Sequence, residues 1–500
     1  MLNNSQKKKV VIPNRGVIAL DTIDSMKSIG LETILLHSPE DSNSLAVKMS
    51  DLSYKFLSSK LEDSYMDREA IIEKTLELNA DYIHPGYGFL AEDPEFFKLC
   101  EEKNIEVIGP GSRVVKLVRN KIELKQTASG LGIPIVKHSQ LIRSTLDCES
   151  VSEGLNFPII IKPVNGLGGS GIKTASSKEE GIEICKKYLK SDISHREGIF
   201  AEEYFPNGHH IEIPFIRDFE GNILFLPEIE SSIQRRFQKI FQESPSVNIN
   251  AQIRESLYQN TKKIIEELNY IGLGYSEFIV SEGKAYFLEI NPSFQINTLI
   301  PEIHIIANFL KKQFAISTGE TLHNVKGTHI VKPKYCVMLV SLMAEEPDNN
   351  FRPSSGKVTD FFSYSSIRNI YKTSLYSGSK VSPLYDPYIG KIVTFAVKRE
   401  NAIKDMNNFL NNIVIKGIRT NITFLKHLLK SSNLHSGDTT IDFLSKKCKY
   451  SERKKNDEEN LIAATLLSAY FHIENSKKNY KEKLEKMKQP GFFKRIFGNF

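Results

Sequence analysis

The sequence predicts a protein of α/β and α+β class, with about three domains and a helical tail. Its 500 residues exceed what one ordinary core accommodates. In the first 110 residues, short apolar strands alternate with helical runs, the pattern of βαβ units and a parallel sheet. Between residues 157 and 300 most predicted elements are strands, as in an α+β domain. After residue 449 a charged, helical sequence replaces this pattern.

Composition and charge fit a globular protein and exclude several classes. The chain is 40% hydrophobic and 25% charged, and 66 Lys and Arg against 60 Asp and Glu leave a net charge of +6. So small an excess gives no argument for nucleic acid. No stretch approaches the roughly 18 apolar residues of a membrane span, and the N-terminal apolar run is too short for a signal peptide, so we expect a cytoplasmic protein. The five cysteines lack CxxC spacing, which predicts reduced thiols.

The first segment predicts a doubly wound sheet with two candidate ligand-binding turns at one edge. Predicted strands cover residues 9–12, 31–37, 82–83 and 106–108, and predicted helices cover 17–29 and 70–79. The sequences Asn14-Arg15-Gly16 and 84–93 follow strands, and ligands of parallel sheets bind at the carboxyl ends of strands. Taken alone, each loop glycine is better explained as a turn former.

A helix predicted at 115–131 contains Lys121 and leads to a strand at 157–162. That strand ends in the glycine-rich loop NGLGGSGIK. Its glycines permit positive φ and close approach of the backbone, so N–H groups can surround phosphate oxygens while Lys162 supplies charge. The loop matches neither the P-loop nor the Rossmann fingerprint, and by itself it is a weak signal.

The next segment predicts further strands and a cationic run. Strands are expected at 198–205, with Glu202 near the end, and at 210–213 and 223–226. Residues 232–242 read SIQRRFQKIFQ and include Lys239. This run has two interpretations, a solvated cationic face or an anion-binding site, and by itself the first is the more common case. A helix predicted at 253–268 follows.

A β-hairpin between residues 272 and 300 is the strongest local signal of a site. Aromatic and β-branched runs at 275–280 and 285–290 flank Gly283, and the register that sets Ser281 against Ala285 also places Glu277 opposite Glu289. Like charges so close are unfavourable unless a cation lies between them. Two carboxylates with the amide of Asn291 form an oxygen-only ligand set suited to Mg²⁺. A register error of one residue, or a frayed strand end, is the alternative.

The remaining sequence predicts mixed elements and then a tail. Residues 386–391 read as a turn between strands. Residues 451–460 form a charged linker, and helical runs follow at 461–472 and 475–488. The chain ends in a basic aromatic tip at 492–497, which could contact a membrane surface, dock on a partner, pack on its own domain or form a disordered tail.

These motifs together resemble a known family. From about residue 9 to residue 448 the sequence is similar to biotin carboxylases of the ATP-grasp superfamily, the component of acyl-CoA and pyruvate carboxylases that carboxylates biotin. The similar stretches are VVIPNRGVIAL, HPGYGFLAEDPEF, VIGPGS, FPIIIKPVNGLGGSGIK, AEEYFPNGHHIEI, IQRRFQK, FLEINPSFQIN, AEEPDNNFRPSSGKV, YDPYIGKIV and GIRTN. They occur in the order that the family has them.

The resemblance implies a domain plan and a set of site residues. It implies a biotin carboxylase N-terminal domain at 1–120, an ATP-grasp domain at 121–320 with a lid at about 137–205, a biotin carboxylase C-terminal domain at 321–448 and a helical tail at 449–500. The site residues it implies are Lys121 and Lys162 for phosphate, Gly168 and Gly169 in the lid loop, Glu202 for adenine, His210 beside the ribose, and Glu277, Glu289 and Asn291 for Mg²⁺ or Mn²⁺.

The implied reaction uses ATP to activate bicarbonate as carboxyphosphate, and the carboxyl group is then captured at N1 of biotin. Lys239, with Lys121, Lys162 and Mg²⁺, would neutralise the transferring phosphoryl group. No lysine of this chain lies in a biotinylation motif, so biotin would be held on a separate carrier protein. The expected partners are that biotin carboxyl carrier protein and a carboxyltransferase, in a homodimer or heteromer.

The sequence departs from the family pattern on the bicarbonate side. The family's E-x-N-x-R-x-Q-V-E-H reads EINPSFQINT from Glu289. Ser293 stands where the resemblance places a bicarbonate-binding arginine, Asn297 where it places the base, and Ser341 where it places a further arginine. Phe237 replaces a histidine.

These replacements leave three functions open. Asparagine cannot accept a proton at neutral pH, and serine carries no charge to pair with bicarbonate. A positioned base contributes about 10²–10⁴-fold to rate. The candidates are a working biotin carboxylase, a non-catalytic ATP-binding partner of a true carboxylase, and an ATP-grasp ligase for another acid.

Overall fold

The computed structural model describes residues 7–164, 166, 171–190, 198–364, 368–450, 465–470 and 472–474. The chain divides into two compact units, residues 1–450 and 451–500. Gly168 and Gly169, the helix predicted at 475–488 and the tip at 492–497 lie outside the described residues. Residues 465–470 and 472 are helical, as predicted, and residues 473 and 474, which lie between the two predicted helices, are helical as well. Within the described ranges no helix is long and apolar enough to span a membrane.

The first unit begins with a five-stranded parallel sheet in the order β3-β2-β1-β4-β5. Its strands are β1 Lys9–Ile12, β2 Glu32–His37, β3 Leu52–Lys55, β4 Tyr82–Ile83 and β5 Glu106–Val107. The helices are α1 Gly16–Lys27, α2 Leu45–Met49, α3 Arg68–Glu77, α4 Pro94–Glu102 and α5 Ser112–Arg119. The central strand β1 is buried on both faces, which explains its continuous apolar sequence. The predicted doubly wound domain is confirmed.

The single helix predicted at 115–131 is wrong. The chain forms α5 and then a second helix, α6 Lys121–Gly130, with Asn120 between them in an extended conformation. The Asn120 side chain accepts a hydrogen bond from the Glu123 N–H and so caps α6. This break matters for function, because it places Lys121 at the first residue of a new helix.

A small antiparallel sheet in the order β7-β6-β8 follows. Its elements are β6 Ile159–Pro163, β7 Lys173–Ala175, α7 Lys178–Lys190 and β8 Ile199–Glu203. Apolar residues of β6, β8 and α7 form a separate core beneath this sheet. Glu202 pairs with Ile160, two residues before Lys162 on the same face of β6, so the register brings these two predicted site residues together.

A ten-stranded sheet forms the centre of the first unit. Its main path is β14-β13-β9-β11-β12-β16-β23-β21; off this path, β10 pairs with β9 and β15 pairs with β10. The elements up to residue 320 are β9 His209–Arg217, β10 Ile223–Phe225, β11 Ile229–Arg235, β12 Gln238–Ser244, α8 Ala251–Glu267, β13 Gly272–Ser281, β14 Lys284–Asn291, α9 Leu299–Ile305 and α10 Phe309–Ser317. Because β12 pairs with β16, the sheet continues into the following segment.

The C-terminal segment completes this sheet and covers it. Its strands are β15 Thr328–Ile330, β16 Cys336–Met343, β17 Glu345–Glu346, β18 Arg352–Pro353, β19 Gly356–Lys357, β20 Phe361–Phe362, β21 Asn369–Thr373, β22 Lys380–Val381, β23 Tyr388–Ala396 and β24 Val414–Ile415. Its helices are α11 Arg399–Asn412, α12 Ile422–Leu428, α13 Ser432–Ser436 and α14 Phe443–Lys446. Buried residues of α11 and α12 pack with those of β16 and β23 in one apolar core.

The hairpin of β13 and β14 has the predicted key pair but a different turn register. Glu277 lies opposite Glu289, as predicted. The accompanying prediction that Ser281 faces Ala285 is wrong, since Ser281 pairs with Lys284.

The difference is explained by a tight turn and a bulge. Glu282 and Gly283 have φ of 49° and 72°, as in a two-residue turn with positive φ at both central positions. The register then shifts between the pairs formed by Phe287 and Glu289, because Leu288 is an extra residue on β14. This β-bulge restores the register that places the two glutamates opposite each other.

Candidate nucleotide and magnesium site

Three glutamates form a row across adjacent strands of the large sheet. Glu212 on β9 pairs in register with Glu277 on β13, which pairs with Glu289 on β14. The Glu212 side chain is fully buried and that of Glu277 is 5% exposed. Such a row is unfavourable unless cations separate the charges. Two lysines and a histidine contact it.

Glu277 at the centre of the row has three polar partners. Its Oε1 accepts hydrogen bonds from Lys239 Nζ and Asn291 Nδ2, each at 2.7 Å. Its Oε2 lies 2.6 Å from His210 Nε2. Burial would raise the pKa of Glu277, but Lys239 and His210 hold it well below its usual range, so the group is a carboxylate.

Lys121 contacts Glu289 at the edge of the row. Its Nζ donates to Glu289 Oε2, and the start of α6 positions it. Burial opposes ionisation of Glu289, and the Lys121 ammonium outweighs this and lowers its pKa. Among the described residues, the side-chain hydrogen bond of Glu289 is accepted by its Oε2 atom.

Lys239 bridges the first two glutamates of the row. Its Nζ lies 2.8 Å from Glu212 Oε1 and 2.7 Å from Glu277 Oε1. Burial would lower the Lys239 pKa, but the two carboxylates raise it above its usual value. The cation is therefore fixed over the two carboxylates.

The predicted cationic run does not act as one cluster. Arg235 pairs with Glu345 and stacks on the Phe351 ring at 4.2 Å, and Arg236 donates to the Asn350 carbonyl. The interpretation as a solvated cationic face is therefore wrong for Arg235. Lys239 alone among these three cations reaches the glutamate row.

A second charge cluster surrounds Glu202 on the small sheet. Lys162 Nζ lies 2.5 Å from Glu202 Oε2, and Lys125 Nζ lies 2.9 Å from Glu202 Oε1. Burial opposes ionisation of Glu202, yet the two ammonium groups lower its pKa to about 2. With Lys121, Lys239 and the row of three, the site therefore holds four lysines and four glutamates.

Of the three residues that replace the family's bicarbonate-side residues, Asn297 contacts Glu212 and Ser341 contacts Lys239. Asn297 Nδ2 donates to Glu212 Oε2 at 3.1 Å, and Ser341 Oγ donates to the Lys239 carbonyl at 2.9 Å. Ser293 lies near the Gln295 amide. All three side chains are buried. Asn297 Oδ1 has no hydrogen-bond partner in the described residues.

The donor set around Glu277 and Glu289 fits Mg²⁺ in its chemistry. Two carboxylates and the amide oxygen of Asn291, whose nitrogen is engaged with Glu277, are hard oxygen donors. Within the described ranges, His, Cys, Asp and Glu side chains form no group of three arranged around a metal. A cation here would therefore complete its shell with phosphate and water oxygens, as Mg²⁺ does in nucleotide sites.

Two residues of the site, Glu212 and Lys125, were not predicted from the sequence. Glu212 follows His210 by two positions, so the period of a strand places both on one face. Lys125 follows Lys121 by four, one helical turn further along α6. These spacings are detectable in the sequence, but the strand pairing that brings Glu212 beside Glu277 is not local.

The fold and the charge clusters define the ATP-grasp class of nucleotide-binding proteins. Three family models match in order along the chain. Residues 6–115 match the biotin carboxylase N-terminal domain, residues 120–325 the ATP-binding domain of the carbamoyl-phosphate synthase L chain, and residues 340–446 the biotin carboxylase C-terminal domain.

Two curated relatives match over nearly their whole length. The chain is 32% identical to biotin carboxylase 1 of Bacillus subtilis over 443 residues, which is 87% of this chain and 98% of that protein. It is 30% identical to the 2-oxoglutarate carboxylase small subunit of Hydrogenobacter thermophilus over 473 residues, 93% of this chain and 100% of that one. The chain belongs to the biotin carboxylase family.

Solved structures agree with this assignment. The biotin carboxylase domain dimer of Hydrogenobacter thermophilus 2-oxoglutarate carboxylase, in complex with MgADP, ADP and bicarbonate, has a TM-score of 0.83 and 30% identity, covering 89% of this chain and 99% of that one. The Campylobacter jejuni biotin carboxylase in complex with β,γ-ATP has a TM-score of 0.82 and 27% identity, covering 88% and 98%.

Proposed function

We propose that this chain is a biotin carboxylase that binds Mg·ATP and carboxylates biotin with bicarbonate. The observation that carries the proposal is the opposed pair of Glu277 and Glu289, with Lys121 and Lys239 on either side. A site that alternates carboxylates and ammonium groups suits a divalent cation bound with an anionic phosphate chain. Family membership supplies the reaction.

The residues divide into three roles in this proposal. Lys121, Lys162 and Lys239 contact phosphate oxygens, and the glycine-rich loop contributes Gly168 and Gly169. Glu202 holds the adenine and His210 the ribose side. Glu277, Glu289 and Asn291 hold Mg²⁺, for which Mn²⁺ could substitute. When bound, the metal supplies charge that stabilises phosphoryl transfer.

The proposed domain boundaries, at 120, 320 and 448, follow from the same family plan.

The proposed partners are a biotin carrier protein and a carboxyltransferase on other chains, and the proposed location is the cytoplasm. Among the relatives, the protein from Hydrogenobacter thermophilus is named as the small subunit of a 2-oxoglutarate carboxylase. The solved structure from the same organism is a dimer of biotin carboxylase domains, which supports a homodimeric or heteromeric arrangement here.

The bicarbonate side of the site, formed by Ser293, Asn297 and Ser341, favours a second candidate function. Asn297 provides an amide where the family has a base, and its nitrogen is already bonded to Glu212. Ser293 and Ser341 provide no charge for bicarbonate. A chain that keeps the nucleotide-binding residues but has these three replacements would bind ATP without turnover. It would act as a partner of a complete carboxylase. An ATP-grasp ligase with another acid substrate is the third candidate.

The test is transfer of labelled bicarbonate to free biotin by the purified chain with Mg·ATP. Labelled carboxybiotin that requires ATP, with matching phosphate release, supports the first proposal. ATP binding without label transfer contradicts it and favours the second. Phosphate release stimulated by a carboxylic acid other than bicarbonate favours the third.

A further inference from the structure

The cluster around Glu202 has two lysines at a single carboxylate. Lys125 and Lys162 both contact its carboxylate, one on each oxygen. The side chains of Lys125 and Glu202 are 0% and 5% exposed, and that of Lys162 is 11% exposed. Because a buried charge is costly without a partner, a second lysine at a single carboxylate requires an explanation.

The two lysines are held differently. Lys125 is on α6, and its Nζ also approaches the Phe287 carbonyl of β14 at 3.4 Å, so the large sheet fixes it from behind. Lys162 lies near the end of β6, directly before the glycine-rich loop, and is the more exposed of the two. Of the pair, Lys162 is the one that can leave the carboxylate for a ligand.

We propose that Lys125 is a positioning residue that compensates Glu202, so that Lys162 can move from Glu202 to a phosphate of the nucleotide. This inference rests on the proposed function, in which Lys162 contacts phosphate. Without Lys125, departure of Lys162 would leave Glu202 buried and unpaired, and Lys162 would instead remain on the carboxylate. Lys125 therefore acts on the phosphate through Lys162.

The test compares the affinities of ATP and adenosine, both measured by titration of the full chain with Mg²⁺. The ratio of ATP affinity to adenosine affinity isolates the contribution of the phosphates, because changes in adenine binding affect both ligands and cancel. Lys162→Met and Lys125→Met should each lower this ratio about tenfold or more, since each removes one charged contact to phosphate, directly or through Lys162. Lys125→Arg, which keeps the charge, should leave the ratio within about threefold of the parent.

A double variant distinguishes a charge effect from a packing effect. Lys125→Met combined with Glu202→Gln removes the carboxylate that would retain Lys162, so the ratio should return to that of Glu202→Gln alone. If Lys125→Met does not fold, Lys125→Gln, which keeps a donor without a charge, replaces it in both comparisons.

The outcomes separate this inference from the proposed function. An unchanged ratio in Lys162→Met overturns the phosphate role of Lys162, and with it the inference. A lowered ratio in Lys162→Met with an unchanged ratio in Lys125→Met overturns the inference alone. Equal losses of ATP and adenosine affinity in Lys125→Met would show a structural role and also overturn it.

Discussion

Glu277 and Glu289 lie opposite each other on β13 and β14, and each carboxylate is paired with a different lysine. Lys239 approaches Glu277 from β12, and Lys121 approaches Glu289 from the first residue of α6. Two separate elements thus converge on one hairpin. The pairing keeps both the buried Glu277 and the partly exposed Glu289 ionised, which is the state that a divalent cation requires.

Removal of Lys239 should destabilise the fold. Lys239→Met leaves Glu212 and Glu277 buried without their shared cation, and breaking a buried pair in this way costs about 3 kcal/mol or more. We expect that loss in the free energy of unfolding measured by urea denaturation. Lys263→Met, on the helix α8, is the control and should change stability by less than about 0.5 kcal/mol, because this lysine is exposed. Equal stability of the two variants would show that the bridge has no net effect.

Restoring the family's residues on the bicarbonate side of the site should raise bicarbonate-dependent activity. Ser293→Arg with Asn297→Glu returns a cation and a base to the positions where the family has them, and a base alone contributes about 10²–10⁴-fold. We expect at least a gain of about tenfold in bicarbonate-dependent ATP hydrolysis in the presence of biotin. Asn297→Glu alone should gain less, since the new carboxylate would lie beside that of Glu212 without the added arginine to balance its charge. A folded double variant without gain means that other residues limit turnover.

Glu302 should make stability depend on pH. Burial raises its pKa from 4.5 to about 7, against a hydrogen bond from the Phe309 N–H that lowers it. At pH values between 4.5 and about 7, Glu302 binds a proton more tightly in the folded chain than in the unfolded chain. Protonated Glu302 therefore contributes its full stabilisation of the fold below about pH 4.5, and this stabilisation is lost as the pH rises through 7.

Glu302→Gln removes this titration and keeps an acceptor for the Phe309 N–H. The unfolding free energy of the parent relative to this variant should therefore fall by about 2–3 kcal/mol between about pH 4.5 and pH 8. Denaturant unfolding at four or five pH values measures the difference. A difference that does not change with pH is the contrary result.

The turn of the central hairpin can be improved by substitution. Glu282 has φ of 49°, a conformation that asparagine and glycine adopt at lower cost. Glu282→Asn, which creates the Asn-Gly pair favoured in such turns, should raise the free energy of unfolding by about 0.5–1 kcal/mol. Gly283→Ala, at φ of 72°, should lower it by a similar amount. Thermal unfolding of both variants checks this, and a destabilised Glu282→Asn would contradict the turn assignment.

The strands predicted up to residue 226 and the helices predicted at 17–29, 70–79 and 253–268 are present in the structure. Local patterns failed where a single residue interrupts a regular element. Asn120 divides a helix because its side chain caps the next one, and a composition that remains helical on both sides conceals that break. The bulge at Leu288 is equally hidden, since Phe287 and Leu288 are both apolar and the sequence does not show which of them is the extra residue. The Glu277–Glu289 pair was found because the turn error and the bulge compensate each other.

Family motifs and the strand period account for the part of the candidate site that was predictable from the sequence. Lys121, Lys162, Glu202 and the hairpin residues come from such signals. The buried pair of Lys125 and Glu202 depends on packing of α6 against β8 and β14, which no local pattern encodes. The same holds for the contact of Asn297 with Glu212.

The most direct test of the nucleotide site is titration of ATP into the purified chain, first with Mg²⁺ and then with a chelator. We predict that Mg²⁺ tightens ATP binding about tenfold or more, that Glu289→Gln removes most of this effect, and that Glu267→Gln, on the exposed end of α8, does not. ATP affinity that is the same in chelator, or unchanged in Glu289→Gln, would contradict the assignment of the central hairpin as the magnesium site.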